Sequence, residues 1–306
     1  MSDRAVDNLY TGTFEVEEIY EDDDPKLRVC KKLKSHSKFI PVTKFIKKHL
    51  PIRYRNYDVL NLIKSQAELT VFLRITKVSE DRPELYPGTC YNYPSHEHKG
   101  KNKLRNGSGV VCKVVRYAEK DNKTCPCEKC KTSSTPRKEW GEINVFTATH
   151  VVYDETERKH TQVYFFRDSK EVDSTQGVSI CAEQLVRLNV EKDWCRINCY
   201  THNDKLLHRL DKALRSFERY CQIVEDRYKQ TPGLHKLTVV VSHPHGDYKK
   251  VSIGQWRDKT RKSRFGDHRY TYDTVTCPGS SGAYVYILGV ASSRMTTCIR
   301  GVMSWG

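Results

Sequence analysis

The chain has 306 residues, of which 37% are hydrophobic, 30% charged and 10% aromatic, a balance that allows a sizeable core and excludes wholesale disorder. No run reaches the roughly eighteen apolar residues of a membrane-spanning helix, and the amino-terminal stretch MSDRAVDNLYTGTFEVEEIYEDDDP has no basic segment leading into an apolar one. No secretory signal is read there, so an intracellular, cytoplasmic protein with mostly reduced or metal-bound cysteines is expected. Lys and Arg number 53 against 38 acids, giving +15, a charge that would suit an acidic partner. Its densest runs are short: Lys31, Lys32, Lys34 and Lys38, then Lys44, Lys47 and Lys48, then Arg257, Lys259, Arg261, Lys262 and Arg264. For runs this short a solvated surface is a plainer explanation than a binding patch, and no basic motif interleaved with aromatics supports nucleic-acid binding.

The first hundred residues open acidic, turn basic after Pro25, and carry mixed apolar runs such as YDVLNLI and LTVFLRI before a polar stretch, YPSHEHKGKNKLRN, that reads as a linker. Residues 1–100 are therefore expected to form a separate region of small mixed elements, and residues 101–306 the main domain. From Gly107 the pattern is of strands. GVVCKVVRY, NVFTATHVVY, TQVYFFR, KLTVVVSH, KVSIGQW, AYVYILGV and IRGVMSW are short segments rich in Val, Ile, Tyr and Phe, separated by Gly, Pro, Asn and Asp, as in a β-barrel or sandwich. Between Asp204 and Gln230, Leu206, Leu207, Leu210, Leu214, Phe217, Cys221, Val224 and Tyr228 recur at steps of three and four. That is the spacing of one helical face, and it predicts a long helix over about 204–229.

Two segments have the makings of hydrolytic chemistry. TATHVV places His150 at the end of a strand, and CPGSSGAYV places Ser281 between Ser280 and Gly282, with Gly279 two residues before it. A serine nucleophile needs a tight turn of small residues, in which the amides of Gly279 and Ser281 could both face a developing oxyanion. His150 would take the Ser281 proton and return it to the leaving group. For either residue alone, a structural turn or a structural histidine would be the plainer explanation.

TATH resembles the TAAH segment of trypsin-like serine peptidases, GSSG resembles their GDSG, and the terminal VMSWG resembles the VSWG strand beside their substrate cleft. GSGVV at residues 107–111 and SHPHGDYKKVSIG at residues 242–254 are similar to segments of the high-temperature-requirement branch, and all of these motifs follow in the family's order. The resemblance covers roughly residues 107–306. It implies a mostly β protein, a trypsin-like double β-barrel into which the long helix read from the periodicity is inserted, acting as a serine-type endopeptidase on a protein or peptide through an acyl-enzyme, without a catalytic cofactor. It also implies an acid that orients the histidine. The family pattern Asp-x-x-Leu-Leu falls on HNDKLLHRL, where counting back from the leucines reaches Asn203 and a one-residue slip reaches Asp204. Asp204 is taken as the acid, although a helix cap would explain both residues.

Departures from the family bear on activity. Ser280 replaces an aspartate that pairs with a newly cut amino terminus, Ala283 replaces a glycine, and Val275 stands where an acidic selector for basic side chains would be. The chain also ends at Gly306, directly after the SWG-like strand. These departures keep open a second reading, a protease-like scaffold or binding module with little or no turnover. The cysteines carry a separate expectation. Cys125, Cys127 and Cys130 in TCPCEKC, with Cys112 thirteen residues earlier, could supply the four ligands of a structural zinc. Reduced thiols or disulfides remain alternatives, Cys195, Cys199 and His202 form a second partial set, and Cys277 reads as a pocket cysteine.

Overall fold

The β-branched runs resolve into two antiparallel sheets in a computed structural model, which describes residues 17–19, 30, 32–231, 234–261 and 268–289. The larger sheet takes β1 (Glu17–Ile19), β3 (Thr70–Lys77), β4 (Asn102–Tyr117), β5 (Trp140–Thr147), β6 (Thr161–Phe165), β7 (Val178–Cys181), β8 (Gln184–Asn189) and β9 (Trp194–Thr201). Its order is β7-β6-β3-β4-β5-β9-β8, with β1 beside β4. The smaller sheet takes β2 (Ile40–Pro41), β10 (Leu237–Ser242), β11 (Lys250–Arg261), β12 (His268–Tyr272) and β13 (Val285–Ile287), in the order β12-β11-β10-β13 with β2 beside β11.

The expected pair of closed barrels is corrected here. In the larger sheet, β7 pairs only with β6 and β8 only with β9, yet just Ala182 and Glu183 separate them. Ala182 N donates to Thr161 O at 3.0 Å and Glu183 N to Asn198 O at 2.8 Å. The chain thus steps directly from one edge of the sheet to the other, and the sheet curls until its edges meet. What joins them is a change of strand partner, so no hydrogen-bonded ladder completes the barrel. The smaller sheet is open among the described residues, and the expected strand IRGVMSW lies outside them.

Strand pairing also crosses the division expected near residue 100. β3 sits between β4 and β6 in the middle of the larger sheet, β2 pairs with β11 in the smaller one, and the stretch expected as a linker opens β4, with Arg105 and Asn106 buried. The run YDVLNLI becomes helix α1 (Tyr57–Leu69), started by Asn56, whose side chain accepts from Val59 N at 2.9 Å. Short helices α2 (Glu128–Lys131), α3 (Glu155–Lys159) and α4 (Lys170–Gln176) lie in the connections.

The long helix forms where the periodicity placed it, as α5 (Asp204–Tyr228). Its apolar face buries Leu206, Leu207, Leu210, Phe217, Cys221 and Val224, with Leu214 and Tyr228 half-buried at its margin. At about 1.5–3 kcal/mol for each large side chain, this face holds the helix against α1 and against β4 and β5. One hydrophobic cluster runs through Val71 and Leu73 of the larger sheet, both helices, and Leu237, Val239 and Val241 of the smaller. Polar contacts cross the same seam. Gln66 Nε2 of α1 donates to Tyr284 O at 3.0 Å, and the buried Lys249 donates to Ala67 O at 2.7 Å while pairing with Asp168 at 2.6 Å.

Candidate active site

His150 lies just past the end of β5, in a turn where Val151 N and Val152 N both donate to Ala148 O, at 3.1 and 3.2 Å. Its Nδ1 is 2.6 Å from Asp193 Oδ2, and its backbone N donates to Asp193 Oδ1 at 3.0 Å. Both residues are buried. The fold explains the meeting. Asp193 immediately precedes β9, and β9 pairs with β5 so that Cys195 sits opposite Thr147. Asp193 itself takes a left-handed φ of 51°, uncommon for a residue with a side chain.

The carboxylate bonded to His150 is thus that of Asp193, and the structure does not bring the expected Asp204 to the ring. Asp204 is the first residue of α5, is 74% exposed, and pairs with Arg116 at the surface. Asn203 is the cap of the same helix, its Oδ1 accepting from Leu206 N at 3.0 Å. The leucine pair after them belongs to a helix face, so counting back from it leads to a cap. The sequence signal for Asp193 is an acid directly before WCRINCYT, a strand whose alternation marks it as a partner for the histidine strand.

A buried ionic cluster, also missed from sequence, fixes the His150 turn. Arg82 donates to His150 O at 2.9 Å and Arg105 to Val151 O at 3.3 Å. Between the two guanidinium groups lies Glu157. It accepts from Arg82 Nε at 2.6 Å, Ser79 N at 3.0 Å and Tyr153 N at 2.9 Å, and pairs with Arg105 at 2.9 Å. Burial alone would raise the pKa of Glu157, but Arg105 and Arg82 outweigh it and hold the carboxyl at about 2.

Ser281 sits in a turn that needs its glycines. Gly279 and Gly282 have φ of 89° and 82°, and a Cβ at Gly279 would lie 2.5 Å from His243 O. A Cβ at Gly282 would collide with the Thr147 hydroxyl and Ser108 O. Ser280 N donates to Cys277 O at 2.9 Å, and the Ser280 hydroxyl lies 3.0 Å from that of Ser242. Ser108, in the middle of the GSG segment of β4, ties the parts together. Its N donates to Ser281 O at 2.8 Å, its hydroxyl donates to Gly279 O at 2.8 Å and accepts from His243 N at 2.9 Å, and its O accepts from Thr147 Oγ1 at 2.8 Å. The serine turn and the strand leading to His150 are thus both bonded to one residue of β4. Burial, with Lys249 nearby, holds the His243 pKa well below the usual histidine range, and its ring Nδ1 lies 3.0 Å from Asp247 O.

The cysteine cluster forms with one member exchanged. Cys125, Cys127 and Cys130 converge with His202, their ligand atoms all within 4.8 Å of one another, and Cys130 Sγ is 3.5 Å from His202 Nε2. His202 follows the end of β9, next to the start of β5, and Trp140 of β5 packs on the three cysteines. Burial, reinforced by the neighbouring sulfurs of Cys127 and Cys130, pushes the Cys125 thiol up to about 12. Cys112 is not part of the group. It is buried within β4 and donates to Asn144 O at 3.4 Å. Cys195 is likewise committed elsewhere, to Val152 O at 3.3 Å, and none of the described cysteines is in a disulfide.

Two antiparallel sheets, a buried histidine–aspartate pair and a small-residue serine turn bonded across to the histidine strand define a protein of the trypsin-like serine peptidase class. The chain belongs to the family of the lysyl endopeptidase C-terminal domain, whose model matches residues 90–304. No curated protein sequence matches it. Among solved structures it is similar to Deg5, with 11% identity over 78% of this chain and 82% of that one and a TM-score of 0.40. It is also similar to the Rv3671c protease of M. tuberculosis in its active form, with 13% identity, coverage of 74% and 68%, and a TM-score of 0.35. The HtrA-type protease AlgW with decapeptide matches at 14% identity, 74% and 55% coverage, and a TM-score of 0.38. No described helix is long and apolar enough to cross a membrane.

Proposed function

We propose that the chain is a serine endopeptidase. Ser281 Oγ attacks the substrate carbonyl carbon while His150 takes its proton. The Asp193 carboxylate holds the ring by Nδ1 and stabilises the imidazolium that forms. The amides of Gly279 and Ser281 receive the oxyanion. As the C–N bond breaks, His150 passes its proton to the leaving amine, leaving an acyl-enzyme that water hydrolyses by the same steps. The observation that carries this reading is the buried 2.6 Å contact between His150 Nδ1 and Asp193. A buried carboxylate bonded to both the ring and the backbone of one histidine selects a ring orientation, as acyl transfer requires.

The test is covalent capture by a fluorophosphonate, which requires an activated serine and no knowledge of the substrate. Labelling of the wild type that is lost in Ser281→Ala and His150→Ala supports the reading. A folded wild type that stays unlabelled refutes it. One observation favours the second reading, a protease-like scaffold without turnover: the side chains of Ser281 and His150 have no solvent-exposed surface. Peptide substrates follow from the proposed activity, but a preference for lysine does not. Val275 stands six residues before Ser281, and its carbonyl accepts from the Ser252 hydroxyl at 2.8 Å.

We further propose that Cys125, Cys127, Cys130 and His202 hold a structural zinc. Three thiols gathered in a buried pocket without a cation are costly to ionise, whereas zinc binds them as thiolates and completes a tetrahedron with one imidazole. The ion would brace the loop between β4 and β5 and take no part in the chemistry.

A further inference from the structure

We propose that Cys30, His36, His245 and Cys277 form a second tetrahedral zinc site, which clamps the amino-terminal segment onto the turn that carries Ser281. The four residues come from three separate parts of the chain. Cys30 and His36 precede β2, His245 lies in the turn between β10 and β11, and Cys277 opens the serine turn. Their ligand atoms nevertheless all fall within 4.8 Å of one another.

The distances match a tetrahedron around one ion. Zinc binds sulfur at about 2.3 Å and imidazole nitrogen at about 2.0–2.1 Å. Tetrahedral angles then place two sulfurs about 3.8 Å apart, two nitrogens about 3.3 Å apart, and a sulfur and a nitrogen about 3.6 Å apart. Cys30 Sγ lies 3.9 Å from Cys277 Sγ, His36 Nε2 lies 3.3 Å from His245 Nε2, and Cys277 Sγ lies 3.4 Å from His36 Nε2. Three kinds of edge agree with one central ion, and both histidines present the same nitrogen. The backbone supports the set. Lys32 N donates to Cys30 Sγ at 3.4 Å, the kind of outer contact that stabilises a ligating thiolate. His245 takes a left-handed φ of 55°, and its N donates to Pro278 O at 2.6 Å, so its turn is held against the residue that follows Cys277.

The clamp acts through Cys277. Its carbonyl accepts from Ser280 N at 2.9 Å, and its N lies 3.4 Å from the Ser280 hydroxyl. A metal on Cys277 and His245 would therefore fix both sides of the turn whose amides are proposed to receive the oxyanion. Metal binding itself does not depend on that proposal and is read without any activity.

The experiment is metal analysis of the purified full chain by plasma mass spectrometry, alongside Cys127→Ser/Cys130→Ser and His36→Asn/His245→Asn variants. Two zinc ions per wild-type chain, and one in each variant, are expected. One ion in the wild type that disappears in Cys127→Ser/Cys130→Ser would overturn the proposal, as would a Cys30–Cys277 disulfide in non-reducing peptide mapping. If a variant misfolds, native alkylation of the wild type decides instead: Cys30, which is only half-buried, should resist alkylation until chelation, and labelling that is the same before and after chelation would overturn the proposal. The clamp is tested on Cys127→Ser/Cys130→Ser by chelation followed by hydrogen exchange. Amides of residues 277–282 should exchange at least tenfold faster once the ion is removed, and unchanged exchange would refute the clamp.

Discussion

Glu157→Gln tests whether the His150 turn is held by charge. The substitution keeps the shape of the side chain but removes its charge and turns one acceptor into a donor among Arg82, Arg105, Ser79 N and Tyr153 N, all of which donate. Breaking one side of a buried ion pair costs about 3–5 kcal/mol, because the remaining charge stays buried. A second route gives a similar figure. The carboxyl falls from an ordinary 4.5 to about 2, and at about 1.4 kcal/mol per pKa unit this corresponds to about 3 kcal/mol. Urea unfolding of wild type and variant at neutral pH should therefore differ by about 3 kcal/mol at equal slope. The pH dependence has a definite sign. A depressed carboxyl contributes its full stability above its unfolded value and loses it as pH falls toward the folded one. The gap between the two proteins should be flat above about pH 5.5 and should narrow from about pH 4.5 downward. A gap below about 1 kcal/mol at neutral pH, or one that widens in acid, would refute the reasoning.

Three further predictions concern the site and its supports. Asp193→Asn should slow fluorophosphonate capture of Ser281 by about 10⁴, the scale of losing the acid of a triad, while Asp204→Asn should leave the rate within about twofold, since its exposed pair with Arg116 contributes at most about 1 kcal/mol. Ser108→Ala leaves the buried His243 N and Gly279 O without their shared hydroxyl, so chemical denaturation should show a loss of about 2 kcal/mol, within the range for such orphaned groups, and capture should slow as the serine turn loses its tie to β4. Asn203→Ala should cost about 1 kcal/mol by the same denaturation assay through loss of the α5 cap, with capture unchanged.

The contrast between α5 and Asp193 shows which kinds of information a sequence carries openly. The apolar stripe of α5 repeats within one segment, so its period can be read without knowing what it packs against. The small residues around Ser281 are local as well, because the positive φ at Gly279 and Gly282 and the crowding around them are properties of one turn. Asp193 is different. Its position opposite His150 depends on the register of β9 against β5, two strands separated in the chain by residues 148–193, and register is set by packing across the whole sheet. The same reasoning covers His202, which reaches the three cysteines at the other end of that ladder, and it explains why Cys112 is no ligand. Nearness in the chain suggests one, but the alternation of β4 turns that sulfur into the core.

The region before residue 100 carries even less local signal, because its elements are completed by partners far along the chain. β3 has no edge of its own once β4 and β6 flank it, and α1 is buried by α5. A short amphipathic run of this kind reads as indistinct until its partner is known. The functional consequence is specific. Arg82, which holds the His150 turn, and Cys30 and His36, which approach the serine turn, all lie in this region. A truncated chain beginning at residue 101 would keep His150, Asp193 and Ser281 but would lack β3, α1 and Arg82. The larger sheet would be split at its centre and Glu157 would lose the guanidinium that joins it to His150 O, so such a fragment should fail to fold or to react with the fluorophosphonate, whereas a division into two independent units would leave it competent.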